Sequence, residues 1–132
     1  MSFVKAVNYI VSVTIGSVWR IPNKKWTNRF ARNKPGDDFH PGLVSKMRKD
    51  GITVSLIPGT TKDYKKGSCV FKTKLTPWSR QSYFLLEYSM PFLIEELEQL
   101  PAGWNNVQRL TDLQIRELKL QLGFCKGVSI VD

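Results

Sequence analysis

The sequence predicts a mainly β protein, a compact and strongly bent antiparallel sheet or small barrel followed by C-terminal helices. Three observations carry this. Five or six short apolar segments fall within the first ninety residues, several of them alternating at period two. One pair flanks Lys49-Asp50-Gly51, and Asp-Gly between β-formers signals a hairpin. The last third then changes to helical spacing. With 132 residues the chain is read as a single domain, 1-132, with one core.

Val7, Tyr9, Val11, Val13 and Ile15 alternate and predict a first strand that Gly16 ends or bulges. Ser17 to Ile21 follows as a second strand, stopping before Pro22. Asn23 to Asp38 holds five Lys/Arg, Pro35-Gly36 and little periodicity, so it reads as a long basic loop. Leu43 to Arg48 and Ile52 to Ile57 are the arms of the hairpin. Cys69, Phe71, Thr73 and Leu75 alternate with Val70, Lys72 and Lys74 to give a half-buried strand, and Tyr83 to Tyr88 gives one more. A first helix is expected from Pro91, with Leu93, Leu97 and Leu100 on one face. A second has Thr111 and Gln114 as a capping box, Leu110 and Ile115 as a staple, a buried stripe of Ile115, Leu118 and Leu122, and Gly123 just past its end.

Charge is unevenly placed. Residues 1 to 80 carry sixteen Lys/Arg against four Asp/Glu, a net of +12, whereas the remaining 52 carry four against seven, a net of −3. Such a basic surface most often serves nucleic acid, because neutralising phosphate releases counterions. Cys69 and Cys125 have no metal-site spacing and are expected as reduced thiols in a cytoplasmic protein. Polar residues interrupt the apolar run from Phe3 to Val18, and no stretch reaches the roughly 20 apolar residues a spanning helix needs. Neither secretion nor a membrane partner is expected.

The chain lacks a glycine-rich phosphate loop, a nucleophile elbow and an HExxH helix, which removes kinase, dinucleotide-dependent and zinc-protease readings. What remains is His40 beside the basic loop, Thr60-Thr61 after the break at Pro58-Gly59, and Glu87 on the last strand. Imidazole exchanges protons near neutrality, a threonine hydroxyl can hold a phosphoryl oxygen, and cations stabilise the developing charge. Trp19, Trp26 and Trp78 can stack on bases or fill the core.

The order of Gly16-Ser17-Val18-Trp19, His40-Pro41-Gly42-Leu43-Val44, Ile57-Pro58-Gly59-Thr60-Thr61 and the closing helix Leu110 to Gly123 resembles the MazF/PemK (Kid) family of bacterial toxin-antitoxin systems. The resemblance covers about residues 16 to 123. It implies a small, strongly curved β-barrel with helices, a homodimer, a cognate antitoxin over the RNA groove, and cleavage of single-stranded RNA with neither metal nor cofactor. One position departs from it. Many members carry a catalytic arginine immediately before the proline of the third barrel strand, where this chain has His40, while the family's threonine corresponds to Thr60.

The expected mechanism is attack of a ribose 2′-hydroxyl on the adjacent phosphorus, leaving a 2′,3′-cyclic phosphate and a 5′-hydroxyl. His40 and Glu87 are the expected proton-transfer groups and Thr60 the phosphate ligand. The RNA contacts are expected from Arg20, Lys24, Lys25, Arg29, Arg32, Lys34, Thr61 and Lys62. Two other readings use the same fold: a non-catalytic module binding nucleic acid or an antitoxin, and a toxin that acts by binding a protein such as a topoisomerase.

Overall fold

A computed structural model describes residues 13–27, 38–62, 69–77, 79–101 and 109–125. It contains a six-stranded antiparallel sheet made of β1 (Val18–Pro22), β2 (Phe39–Met47), β3 (Thr53–Thr60), β4 (Val70–Lys74), β5 (Gln81–Leu85) and β6 (Met90–Leu93), with one α-helix, α1 (Asp112–Phe124). The ladder path is β1-β2-β3-β5-β4, and β6 pairs with β3 beside that path. Among the described residues the path is not closed by a β4–β1 ladder.

The hairpin is where the turn chemistry places it. Gly51 has φ +74, the left-handed region that glycine enters without a steric cost. The Asp50 carboxylate accepts from the backbone N–H groups of Ile52 and Thr53 and from the Thr53 hydroxyl, tying the turn to the start of β3. These bonds, that from Ile52 first, hold the Asp50 carboxyl below its ordinary value of 3.8. A carboxyl whose pKa is lower folded than unfolded adds stability above the unfolded value and loses it as pH falls through the folded one. Asp50→Ala is therefore expected to lower the melting temperature at neutral pH, with the gap from wild type narrowing as pH drops below 3.8. Thermal melts across an acid series check this.

β2 and β3 pair from Gly42↔Pro58 to Met47↔Val54, with a register shift between Val44 and Lys46. A bulge of this kind strengthens local twist and bends the sheet. β3 is central: β2 occupies one edge, while the other is shared by β6 along Thr53 to Leu56 and by β5 along Gly59 and Thr60. Pro58-Gly59 is thus no break. Both residues lie inside β3, at the point where its second edge passes from one partner to the other. A Cβ on Gly59 would meet Phe84 Cε1 at 2.6 Å, and Phe84 is fully buried. Overpacking of that order makes Gly59→Ala destabilising by about 1–3 kcal/mol, to be read from urea unfolding.

The two sheet faces each carry a core. Trp19, Ile21, Val44 and Leu56 pack with Trp26, Phe92, Ile94 and Leu97 on one face. Val18, Leu43, Ile57, Phe71 and Phe84 pack with Leu110, Ile115 and Leu118 on the other, under α1. Trp19 and Trp26 are buried core residues, not base-stacking platforms, and Trp26 packs edge-on against Phe92 at 5.1 Å. Trp78 lies outside the described residues.

Several expectations need correction. Of the alternating run Val7 to Ile15, only Val13 and Ile15 are described, and they lead into a turn rather than forming a strand. The helix expected from Pro91 is instead strand β6 followed by the 3₁₀ turn Ile94–Glu96. The reason is visible in burial: Phe92 and Ile94 point inward while Leu93 is exposed, and the free edge of β3 is satisfied by pairing. α1 is the only α-helix among the described residues. Its capping box is complete, with Gln114 N–H donating to Thr111 Oγ1 at 3.2 Å and Thr111 N–H to Gln114 Oε1 at 2.8 Å. Gly123, expected beyond the helix, lies in its last turn; Cys125 caps it, its N–H bonding Gln121 O at 3.1 Å. Cys125 is also joined to Cys69, so the expected reduced thiols are a disulfide that ties the end of α1 to the start of β4.

Candidate functional site

Gly42 stands opposite Pro58 as the last pair of the β2–β3 hairpin. His40 and Thr60 both stand at the open end of that hairpin, two residues beyond its last pair, and there each pairs with a different strand, His40 with β1 and Thr60 with β5. His40 is half-buried and stands opposite Ile21 of β1. Its Nδ1 lies 2.6 Å from Asn23 Oδ1. An amide oxygen only accepts, so Nδ1 carries the hydrogen and Nε2 carries the lone pair of the neutral ring.

Asn23 is fixed in turn. It begins the 3₁₀ turn Asn23–Lys25 directly after β1, is 3 % exposed, and its N–H donates to Asp38 O at 2.8 Å. The same turn presents Lys24, exposed, and Lys25, half-buried, close in sequence to the imidazole's partner. Among the described residues, the exposed Asp38 is the acidic residue directly preceding β2.

Thr60 ends β3 opposite Tyr83 of β5. Its Oγ1 accepts from Lys62 N–H at 3.2 Å, which turns the chain and leaves the hydroxyl hydrogen for donation. Thr61 and Lys62 follow, both exposed. The capped-turn role and the capacity to hold an anionic oxygen are therefore compatible in one side chain.

Glu87 is elsewhere. It is exposed in the 3₁₀ turn Leu86–Tyr88, not on a strand, and four residues beyond Tyr83 along the chain. Arg20 is engaged by other groups: its Nη1 is 3.3 Å from Glu98 Oε1, and its guanidinium lies 5.1 Å from the centre of the Phe39 ring. Arg29, Arg32 and Lys34 lie outside the described residues.

Sequence reasoning did not single out Asn23 or Tyr83. Asn23 carries no local motif, and only folding brings it to His40 across seventeen positions. No group of three or more His, Cys, Asp or Glu side chains able to hold a metal ion occurs among the described residues. No helix there is long and apolar enough to cross a membrane.

No protein-family model matches this chain, and no curated protein matches it.

Proposed function

We propose that this chain is a toxin of MazF/PemK type, an endoribonuclease that cleaves single-stranded RNA by 2′-hydroxyl attack without a metal ion. The observation that carries the proposal is the placement of His40 and Thr60 at the open end of the β2–β3 hairpin, with Asn23 holding the His40 Nδ1–H. Neutral His40 removes the 2′-hydroxyl proton through Nε2 as the oxygen attacks phosphorus. The imidazolium so formed returns that proton to the departing 5′-oxygen, giving a 2′,3′-cyclic phosphate and a 5′-hydroxyl. Thr60 donates to a non-bridging oxygen, and Lys24, Lys25 and Lys62 supply positive charge around it. In this reading both proton transfers fall to His40.

The barrel belongs to the same proposal. The chain leaving β6 returns to the outer edge of β1, where Arg20 N–H donates to Glu98 O at 2.7 Å and the two residues form a bridge. That contact supports a strongly curved, nearly closed wall around the core of Trp19, Ile21 and Leu56. A homodimer is supported by Leu113, Leu120 and Phe124, all more than 60 % exposed and within about 40° of one another around α1. Light scattering is expected to give twice the chain mass, and a concentration-independent monomer mass would remove the dimer. An antitoxin would place an acidic segment over the basic end of the sheet.

The test is incubation of the purified chain with mixed-sequence single-stranded RNA in chelator, followed by analysis of the new ends. Cyclic phosphate and 5′-hydroxyl termini are expected, and equally long DNA should remain intact. Tight RNA binding with no cleavage would select the non-catalytic binding module instead. Absence of both would leave the reading in which the chain binds a protein target.

A further inference from the structure

A cross-strand row begins at Thr60 of β3. Thr60 stands opposite Tyr83, and Tyr83 stands opposite Lys72, so hydroxyl, phenol ring and ammonium share one face of β3, β5 and β4. Lys72 Nζ lies 5.9 Å from the centre of the Tyr83 ring. The next pair on that face is Lys74 opposite Gln81, both exposed. No acidic residue occurs in either strand.

The reverse face of this wing is rigidly backed. Phe71 and Phe84 are buried under α1, and Gln114 Nε2 donates to Thr73 Oγ1 and to Lys74 O, each at 2.7 Å. Backing of this kind holds the strands still while the other face carries a half-buried aromatic ring between cations. Lysines on an edge strand also deter pairing with other chains. That role accounts for Lys72 and Lys74 but not for Tyr83, which sits on the inner strand β5.

We infer that the β4–β5 wing is the docking platform for the single-stranded RNA that flanks the cleaved bond, with a base stacked on Tyr83 and phosphates held by Lys72 and Lys74. The inference rests on the proposed RNA cleavage for its choice of ligand and adds to it a binding subsite and a strand path. The RNA runs across the sheet from β4 towards β3. Two strand spacings of about 4.8 Å put Lys72 roughly 10 Å from the Thr60 strand, within reach of one short oligonucleotide. The contact that Lys72 makes with the ring does not block the site. An exposed cation over a ring is worth about 2- to 5-fold, whereas a base on an aromatic side chain is worth roughly 5- to 150-fold, so the base takes the ring and the flexible ammonium moves to phosphate. A tyrosine face accepts any base, so the platform sets affinity and register and leaves sequence choice to other contacts.

The experiment measures binding of a fluorescent single-stranded RNA, 2′-fluoro at every ribose so that it has no attacking hydroxyl, to the full chain across a salt series. Tyr83→Ala should weaken binding by roughly 5- to 150-fold, with Tyr83→Phe near wild type. Lys72→Gln and Lys74→Gln should each lower the slope of log K against log salt by about 0.7. Wild-type affinity and slope in all these variants, from a protein that still cuts ordinary RNA, would overturn the platform and leave the cleavage reading standing. Loss of binding in the variants of a protein that cuts no RNA would uphold the platform and end the cleavage reading. A wild-type chain that neither binds nor cuts RNA would end both.

Discussion

His40→Ala is expected to reduce the rate of RNA cleavage by about 10²- to 10⁴-fold, the usual contribution of a positioned acid–base group. RNA affinity should change much less, because in the proposed mechanism imidazole supplies proton transfer while the lysines supply the phosphate contacts. The pH profile separates this from a structural defect. A wild-type enzyme that needs neutral imidazole loses activity as acid protonates the ring, and the variant's residual activity should lack that limb. His40 bonds Asn23, so a fold control is required; an unchanged thermal melt for the variant supplies it. Undiminished cleavage by His40→Ala would remove the imidazole from the mechanism.

Reduction of Cys69–Cys125 is expected to cost about 4 kcal/mol, the chain-entropy value for a closed loop of this length, given a sequence separation of 56. The bond joins the last residue of the helical unit to the strand beneath it, so its loss also frees the end of α1. Urea unfolding with and without reductant checks both consequences. The midpoint should fall in reductant, and the slope should rise as the uncrosslinked denatured chain expands. Superimposable curves would contradict a contribution from the disulfide. Structural disulfides are more usual in oxidising compartments than in cytoplasm. Alkylation of thiols in freshly lysed cells is the direct readout of which state the chain keeps there.

Much of the sheet was legible because its signals are local. Asp50-Gly51 between β-formers specifies a turn whatever the rest of the chain does, and Thr111 with Gln114 marks a helix start within four residues. The segment after Pro91 misled because Leu93, Leu97 and Leu100 fit a helical stripe as well as they fit irregular chain. What decided it was the open edge of β3, a demand for hydrogen bonds that no window of local sequence contains. The helix end misled for a related reason: Gly123 is a good stop signal, but the covalent tie at Cys125 holds the helix one residue past it.

The site was half legible. His40 and Thr60 lie ten residues either side of Asp50, and a hairpin centred there sets them at the same end of its two arms. Composition and motif order named both residues; the turn that aligns them is the stronger physical warrant. Tyr83 and Lys72 join Thr60 only through the ladders of β3 with β5 and of β5 with β4, whose connections carry no comparable register signal. Glu87 looked like a strand residue because Tyr83 to Tyr88 is uniformly suited to β structure. A 3₁₀ turn begins at Leu86, where the backbone N–H bonds Cys69 O at 3.0 Å and the chain bends away.

The proposed reaction is attack by a ribose hydroxyl under the control of His40 and Thr60. It is tested most directly by mapping one cleavage site in single-stranded RNA and replacing the ribose on its 5′ side with 2′-deoxyribose, in chelator, with all else unchanged. Loss of that single oxygen should abolish cutting at that bond while binding persists. Cleavage at the substituted bond would contradict it.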